Sequence, residues 1–170
     1  MGTELQVVQE REMTLDLARE LADLLVQVVE DGASVGFLPP LSAEAAERYW
    51  LGALEDGVTL FTARICGRLA GTVQLQRALK ANGSHRAEIA KLMVSPDRRR
   101  AGAAKALMNA AELLAQSEGL SLLVLDTREG DPSNLLYRSL GYTEAGRIPG
   151  YARSANGELH GTVYYYKELV

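Results

Sequence analysis

The chain has 170 residues, 47% of them hydrophobic and 24% charged, a balance that fills one core and reads as one domain over 1–170. Eighteen Lys and Arg against 22 Asp and Glu leave a net charge of −4, which argues against a general affinity for nucleic acid, and the single cysteine, Cys66, excludes an internal disulfide framework and a cysteine-based zinc site. No apolar run approaches a membrane span and the opening residues lack the blocks of a signal peptide, so the expectation is a cytoplasmic protein with no membrane or nucleic-acid partner.

Residues 4–9 read as a short strand. Over 14–30, Leu17, Leu21, Leu24, Leu25 and Val28 fall at the 3, 4, 7 spacing of one helical face, with Thr14 as N-cap and Gly32 as C-cap. Gly36, Pro39 and Pro40 make 33–40 a loop. A second helix is expected over 42–54, stopped by Glu55-Asp56-Gly57. Segments 59–65 and 69–79 form a hairpin across Cys66-Gly67-Arg68, and a turn at 81–84 leads to a third strand, 85–94. Helix formers then dominate to Ser117, from Arg100 or Ala101, and Gly119 closes that helix. Residues 120–126 are almost wholly apolar, the pattern of a strand buried on both faces. A short helix over 133–140, a strand over 143–148 broken by Pro149-Gly150, a turn at Asn156-Gly157 and a last strand over 162–167 complete the chain.

Strand 85–94, helix 101–117 and strand 120–126 constitute a βαβ unit, whose strands must be parallel and whose crossover is right-handed. With antiparallel hairpins around it, the fold class is α/β (α+β): a single mixed, mostly antiparallel twisted sheet with helices on both faces. Ligands collect at the carboxyl ends of parallel strands, here residues 95–105 and 126–131. The first of these runs into a helix N-terminus, where unpaired amides and the helix dipole attract an anion. Ala101, Gly102, Ala103 and Ala104 let a phosphate approach the backbone, and Arg98, Arg99, Arg100 and Lys105 concentrate positive charge in an acidic chain. The expected ligand is a pyrophosphate; the alternative is a solvated helix start with surface arginines. The glycine patterns of Walker and dinucleotide loops are absent.

Arg99-Arg100-Ala101-Gly102-Ala103-Ala104 fits [RQ]-x-x-G-x-[GA] after Val94-Ser95-Pro96, and it resembles the coenzyme-binding motif of the GCN5-related N-acetyltransferases. The element order extends that resemblance over nearly the whole chain. Arg100 stands where many members carry Gly, a departure the backbone tolerates if its φ is negative. Segments 32–37, 86–88, 91–94 and 125–127, with Pro149-Gly150-Tyr151 through Leu159-His160, are similar to the tabtoxin-resistance acetyltransferases of that family, which inactivate a β-lactam toxin.

The resemblance implies acetyl-CoA as the acetyl donor. Met93 and Val94 would hold the pantetheine arm along a strand edge, with the Val94 N–H facing the thioester oxygen. Arg99, Arg100, Ala101, Gly102, Ala103, Ala104 and Lys105 would hold the pyrophosphate, and Tyr137 would protonate the leaving thiolate. The family's Asn six or seven positions before that Tyr is absent, which leaves Asn134 as the nearest cofactor contact. Glu88 and Asp126 would bind the acceptor amine, one of them relaying its proton, with Ser34, Val35, Gly36, Phe37 and Tyr151 completing the pocket. Taken without the family, Glu88 is equally a salt-bridge partner of Arg86 or an edge-strand charge, Asp126 a turn cap, and Tyr137 and Phe37 packed aromatics. No acyl-cysteine is expected at Cys66 and no metal at His85 and His160, which are not in ligand spacing. Tyr164-Tyr165-Tyr166 is assigned to core packing or a subunit contact, the latter compatible with a homodimer. The expected activity is direct acetyl transfer to a small-molecule amine, amino-acid-like or antibiotic- or toxin-like. A protein or peptide acetyltransferase and a non-catalytic acyl-CoA-binding module are the alternatives.

Overall fold

The computed structural model describes residues 4–170. Seven strands, β1 (Leu5–Glu10), β2 (Val58–Ile65), β3 (Arg68–Arg77), β4 (Arg86–Val94), β5 (Leu122–Arg128), β6 (Thr143–Arg153) and β7 (Leu159–Glu168), form one sheet in the order β1-β2-β3-β4-β5-β7-β6. The helices are α1 (Leu15–Glu30), α2 (Ala43–Leu51), α3 (Ala103–Ser117) and α4 (Ser133–Ser139). Strands β4 and β5 pair in parallel and the other five pairings are antiparallel. None of these helices is long and apolar enough to cross a membrane.

Helix α1 begins where the Thr14 hydroxyl accepts the Leu17 N–H at 3.1 Å, and Gly32, at φ +90, turns the chain out of it. Its apolar face, including Leu21, Leu25 and Val28, packs with Trp50 of α2, Leu60 of β2 and Met93 of β4 on one side of the sheet. Leu107, Met108, Ala111 and Ala115 of α3 cover the other side, against Phe61, Val73, Leu75, Ile89, Leu123 and Leu125, and Tyr137 of α4 joins them. Helices therefore lie on both faces, as the βαβ order demands.

Three local expectations need correction. Strand β6 passes through Pro149-Gly150 instead of ending at Ile148. It is the outermost strand and its ladder is irregular between Ile148 and Ala152, so the missing N–H of Pro149 breaks no interior ladder. Strand β5 buries Leu123 and Leu125 on one face, whereas Leu122 and Val124 are half-buried, because α1 lies over β3 and β4 and leaves that part of the sheet open. Arg100 sits at φ +65, the left-handed region, and not at the negative φ that would suit an arginine.

Two features of β4 shape the cleft beside it. Its ladder with β5 has three rungs, Arg86–Leu122, Ala87–Leu123 and Glu88–Val124, after which the strands part. On its other edge, Thr72 faces Met93 and Gln74 faces Ala90, so Lys91 and Leu92 together stand opposite Val73 in a β-bulge. Lys91 takes φ +52 there, and the fully buried Thr72 donates its hydroxyl proton to the Lys91 carbonyl at 2.8 Å. Beside the bulge, where Gly71 faces Val94, the strands approach so closely that a Cβ on Gly71 would lie 2.6 Å from the Met93 carbonyl oxygen. Gly71→Ala is therefore expected to destabilise the fold more than Thr72→Val, which removes one buried hydrogen bond and costs about 1 kcal/mol. Denaturant unfolding of both variants measures the order.

Candidate active site

Where β4 and β5 part, a cleft of about 910 Å³ opens between them. Beyond Glu88, β4 hydrogen-bonds to β3 alone, so its other edge through residues 89–94 borders the cleft. At one end lies the bend into α3. Gly102 is the N-cap at φ +85, no side chain caps the helix, and the Ala106 N–H is the one that returns to the Gly102 carbonyl. The first-turn amides of Ala103, Ala104 and Lys105 thus lack intrahelical acceptors. A Cβ built on Gly102 meets nothing within 4 Å, so the space over the bend is open. Arg98, Arg99, Arg100 and Lys105 surround it. Arg99 also pairs with Asp31 at 2.7 Å on the exposed rim, and Ala101 is exposed at the apex, outside the lining. Free amides, open room and clustered cations fit a pyrophosphate, and the bare strand edge fits a ligand with amides of its own.

The other end is acidic. Glu88, from the last β4–β5 rung, and Asp126 of β5 border the cleft with Ser34, Val35, Gly36 and Tyr151. Burial, and then the Asp126 charge, hold the Glu88 carboxyl above its ordinary range, with Lys91 opposing. Asp126 accepts the Thr162 hydroxyl proton at 2.8 Å. Tyr164 stands beside Asp126 in the β5–β7 register, and its hydroxyl lies 3.0 Å from that of Tyr151. That hydrogen bond, then burial and the nearby carboxylates, push the Tyr164 phenol up to about 12. Tyr137 is 6% exposed and packs at 5.9 Å from the rings of both Tyr142 and Tyr165, yet it also borders the cleft. Burial, and then Asp126, drive its phenol well above the ordinary tyrosine value, so it stays protonated and able to donate.

Met93, Val94, Arg99, Arg100, Gly102, Ala103, Ala104, Lys105, Glu88, Asp126, Tyr137, Tyr151, Ser34, Val35 and Gly36 thus converge on one cleft. Three sequence-picked residues do not: Ala101, exposed at the apex of the bend, Asn134 and Phe37. Asn134 is buried, and its amide is consumed inside the loop before α4: Nδ2 donates to the Arg128 and Asp131 carbonyls at 3.0 and 2.8 Å, and Oδ1 accepts from Tyr165 at 2.8 Å. Phe37 lies edge-on to Tyr49 at 5.2 Å and lines a smaller side pocket. Sequence reasoning passed over Lys91, Thr162 and Arg128, and it assigned Tyr164 to core packing or a subunit contact, whereas that side chain stands beside Asp126 and Tyr151. The Arg128 guanidinium donates to Asp131, Ser154 and the Gly32 carbonyl, tying the end of β5 to the loop after α1 and to the β6–β7 hairpin. Strand alternation over 162–167 puts Thr162 and Tyr164 on one face, away from Val163 and Tyr165, so a signal for that pair was present. For Lys91 there was none, because the bulge is set by register with β3 and leaves no mark in the local pattern.

Asn134→Ala is expected to lower stability by about 2 kcal/mol, since three polar groups lose a partner. Chemical denaturation measures the loss. Glu88 titrates higher in the folded chain than in the unfolded one, so its contribution is fully present at acid pH and is lost as pH rises from about 4.3 through the raised value. The thermal stability of Glu88→Gln relative to the parent should therefore grow across that window and level off above it.

Residues 19–142 match the model of the Acetyltransferase (GNAT) family. An uncharacterized N-acetyltransferase in the hisH–hisA intergenic region of Azospirillum brasilense is 34% identical over 113 residues, which is 65% of this chain and 67% of the relative. An N-acetyltransferase from Staphylococcus aureus Mu50 superposes with a TM-score of 0.83 at 12% identity, over 98% of this chain and 99% of the other. A GCN5-related N-acetyltransferase from Kribbella flavida gives 0.80 at 20% identity, over 97% and 98%. The ribosomal-protein-S18-alanine N-acetyltransferase from Escherichia coli gives 0.73 at 19%, over 97% and 94%. At these identities the solved structures speak for the fold, and the family model, spanning more than half of the chain, speaks for descent. The chain belongs to the GNAT family and is an N-acetyltransferase.

Proposed function

We propose that the protein transfers the acetyl group of acetyl-CoA directly to the amine of a small molecule, with donor and acceptor bound together. The observation that carries this reading is the parting of β4 from β5, which joins a cationic bend with free amides to a pair of carboxylates through one continuous cleft. Acetyl-CoA supplies an acetyl thioester. Gly102, Ala104 and Lys105, with the neighbouring arginines, would hold its pyrophosphate. The open edge at Met93 and Val94 would bind its amide-bearing arm, and the Val94 N–H is suited to stabilise charge on the thioester oxygen.

Glu88 and Asp126 attract an ammonium group before it must lose its proton, and one of them takes that proton, through water if the reach requires it. The new N–C bond then replaces the C–S bond, the proton for the departing sulfur comes from the Tyr137 hydroxyl, and the second proton shed by the acetylated nitrogen, relayed through water, restores that hydroxyl. The high phenol value keeps that proton in place until a thiolate appears. The loop at 33–36 and Tyr151 border the acceptor end, which favours a small amine over a protein chain. The likeness of segments such as 32–37 and 86–88 to the tabtoxin-resistance acetyltransferases points the same way, toward an amino-acid-like or toxin-like acceptor.

Calorimetry should show micromolar binding of acetyl-CoA, weakened at least tenfold by Gly102→Val, whose side chain occupies the open space over the bend. Tyr137→Phe should lower kcat by about 10²-fold and leave acetyl-CoA affinity intact. A panel of amines, amino-acid-like antibiotics and peptides identifies the acceptor class. Absence of acetyl-CoA binding at high micromolar concentration would overturn the reading.

A further inference from the structure

Lys91 is placed at two costs, and among the described residues its ammonium is met only by the rings of Phe37 and Tyr49 and by no ion-pair partner. Its backbone occupies the left-handed region at φ +52, which a lysine disfavours by about 1 kcal/mol or more. Its ammonium is half-buried in the cleft wall, 6.0 Å from the Phe37 ring centroid and 5.8 Å from that of Tyr49. No carboxylate among the described residues comes within 4.0 Å of it, and its carbonyl alone is hydrogen-bonded by a side chain. Burial pulls its pKa down, while Glu88 and Asp126, too distant to pair, pull it back up. The other cation at this end, Arg128, has its guanidinium committed to Asp131, Ser154 and Gly32. A strained backbone that delivers an unpaired cation into a cleft is the signature of a group kept for a ligand.

Resting on the acetyltransferase reading, we infer that Lys91 anchors a carboxylate carried by the acceptor, so that the substrate is a zwitterionic amino acid or a compound of that type. Glu88 and Asp126 form the negative pole of the acceptor end and the Lys91 ammonium forms the positive one, three residues further along β4 than Glu88. A simple amine would satisfy the two carboxylates and leave Lys91 unpaired, at the desolvation cost such a charge carries. A molecule bearing only anionic groups would be repelled by Glu88 and Asp126. Three strand residues span roughly 10 Å, less where the bulge compresses them, so a chain of a few atoms between amine and carboxylate reaches both poles.

The test uses linear ω-amino carboxylates from glycine to 6-aminohexanoate and their matched primary amides, with the parent and with Lys91→Met, Lys91→Arg and saturating acetyl-CoA. The parent should prefer the best carboxylate over its amide by about tenfold in kcat/KM, expressed in KM. In Lys91→Met that ratio should fall at least fivefold, beyond any change common to both series from losing a charge beside Glu88, Lys91→Arg should keep part of the preference, and Lys91→Met should be at least as thermostable as the parent. Comparing ratios between variants cancels the intrinsic difference in amine basicity within each pair. An unchanged ratio in Lys91→Met, or equal losses on carboxylates and amides, overturns the anchor and leaves the acetyltransferase reading standing. Failure of the parent to acetylate either series overturns the anchor, and with the wider amine panel also unreactive it removes the acetyltransferase reading too.

Discussion

Backbone amides that leave one ladder must find another partner, and in this protein the residues of β4 beyond Glu88 leave β5 without acquiring one on that side. The three rungs at 86–88 hold the two strands in register, and the split beyond them exposes a polar strand edge inside the molecule. Stability at the split comes from the opposite edge, where β3 accommodates the bulge: Gly71 lets the Met93 carbonyl approach, and Thr72 secures the carbonyl of Lys91. The same departure aims the two strand ends apart, β4 into the bend before α3 and β5 toward the loop before α4. A cleft with an unsatisfied wall is the consequence of that geometry, not an addition to it.

The cleft carries opposite charges at its ends. Arg98, Arg99, Arg100 and Lys105 surround the free amides of the bend, Glu88 and Asp126 occupy the far end, and Tyr137 forms part of the wall. Opposed poles in one cleft are what the proposed reaction needs, since they would orient a phosphate-bearing molecule and an ammonium-bearing one toward each other. The acidic end is itself braced. Thr162 holds Asp126, the Tyr151–Tyr164 hydrogen bond crosses the β6–β7 hairpin beside it, and Arg128 ties strand, loop and hairpin together. Such bracing fixes the position of the Asp126 carboxylate and of the strands around it.

What was legible in the amino-acid sequence was whatever depends on neighbours in the chain. The apolar stripe of α1 with its Thr14 cap, the βαβ order and the small-residue bend at 101–104 each announce themselves locally, and Glu88 and Asp126 stand out as acids in apolar strands. Features set by distant partners were not legible. Lys91 reads as an ordinary strand lysine until the Thr72–Gln74 register makes it part of a bulge. Asn134 looks free to meet a ligand until Tyr165, from a strand 31 residues away in sequence, claims its carbonyl oxygen. Pro149 looks like a strand end until its place on the sheet's outer edge makes its missing N–H harmless, and Arg100 takes a positive φ that its side chain does not advertise.

Amide hydrogen exchange resolved to single residues, with and without saturating acetyl-CoA, tests the dependence on the split strands most directly. Slowed exchange confined to the cleft-facing amides of residues 89–94 and to the first turn of α3 at 103–105, with β1 and β2 unchanged, is the predicted result. Bound acetyl-CoA that leaves those amides exchanging as before, or that protects a different edge of the sheet, contradicts it.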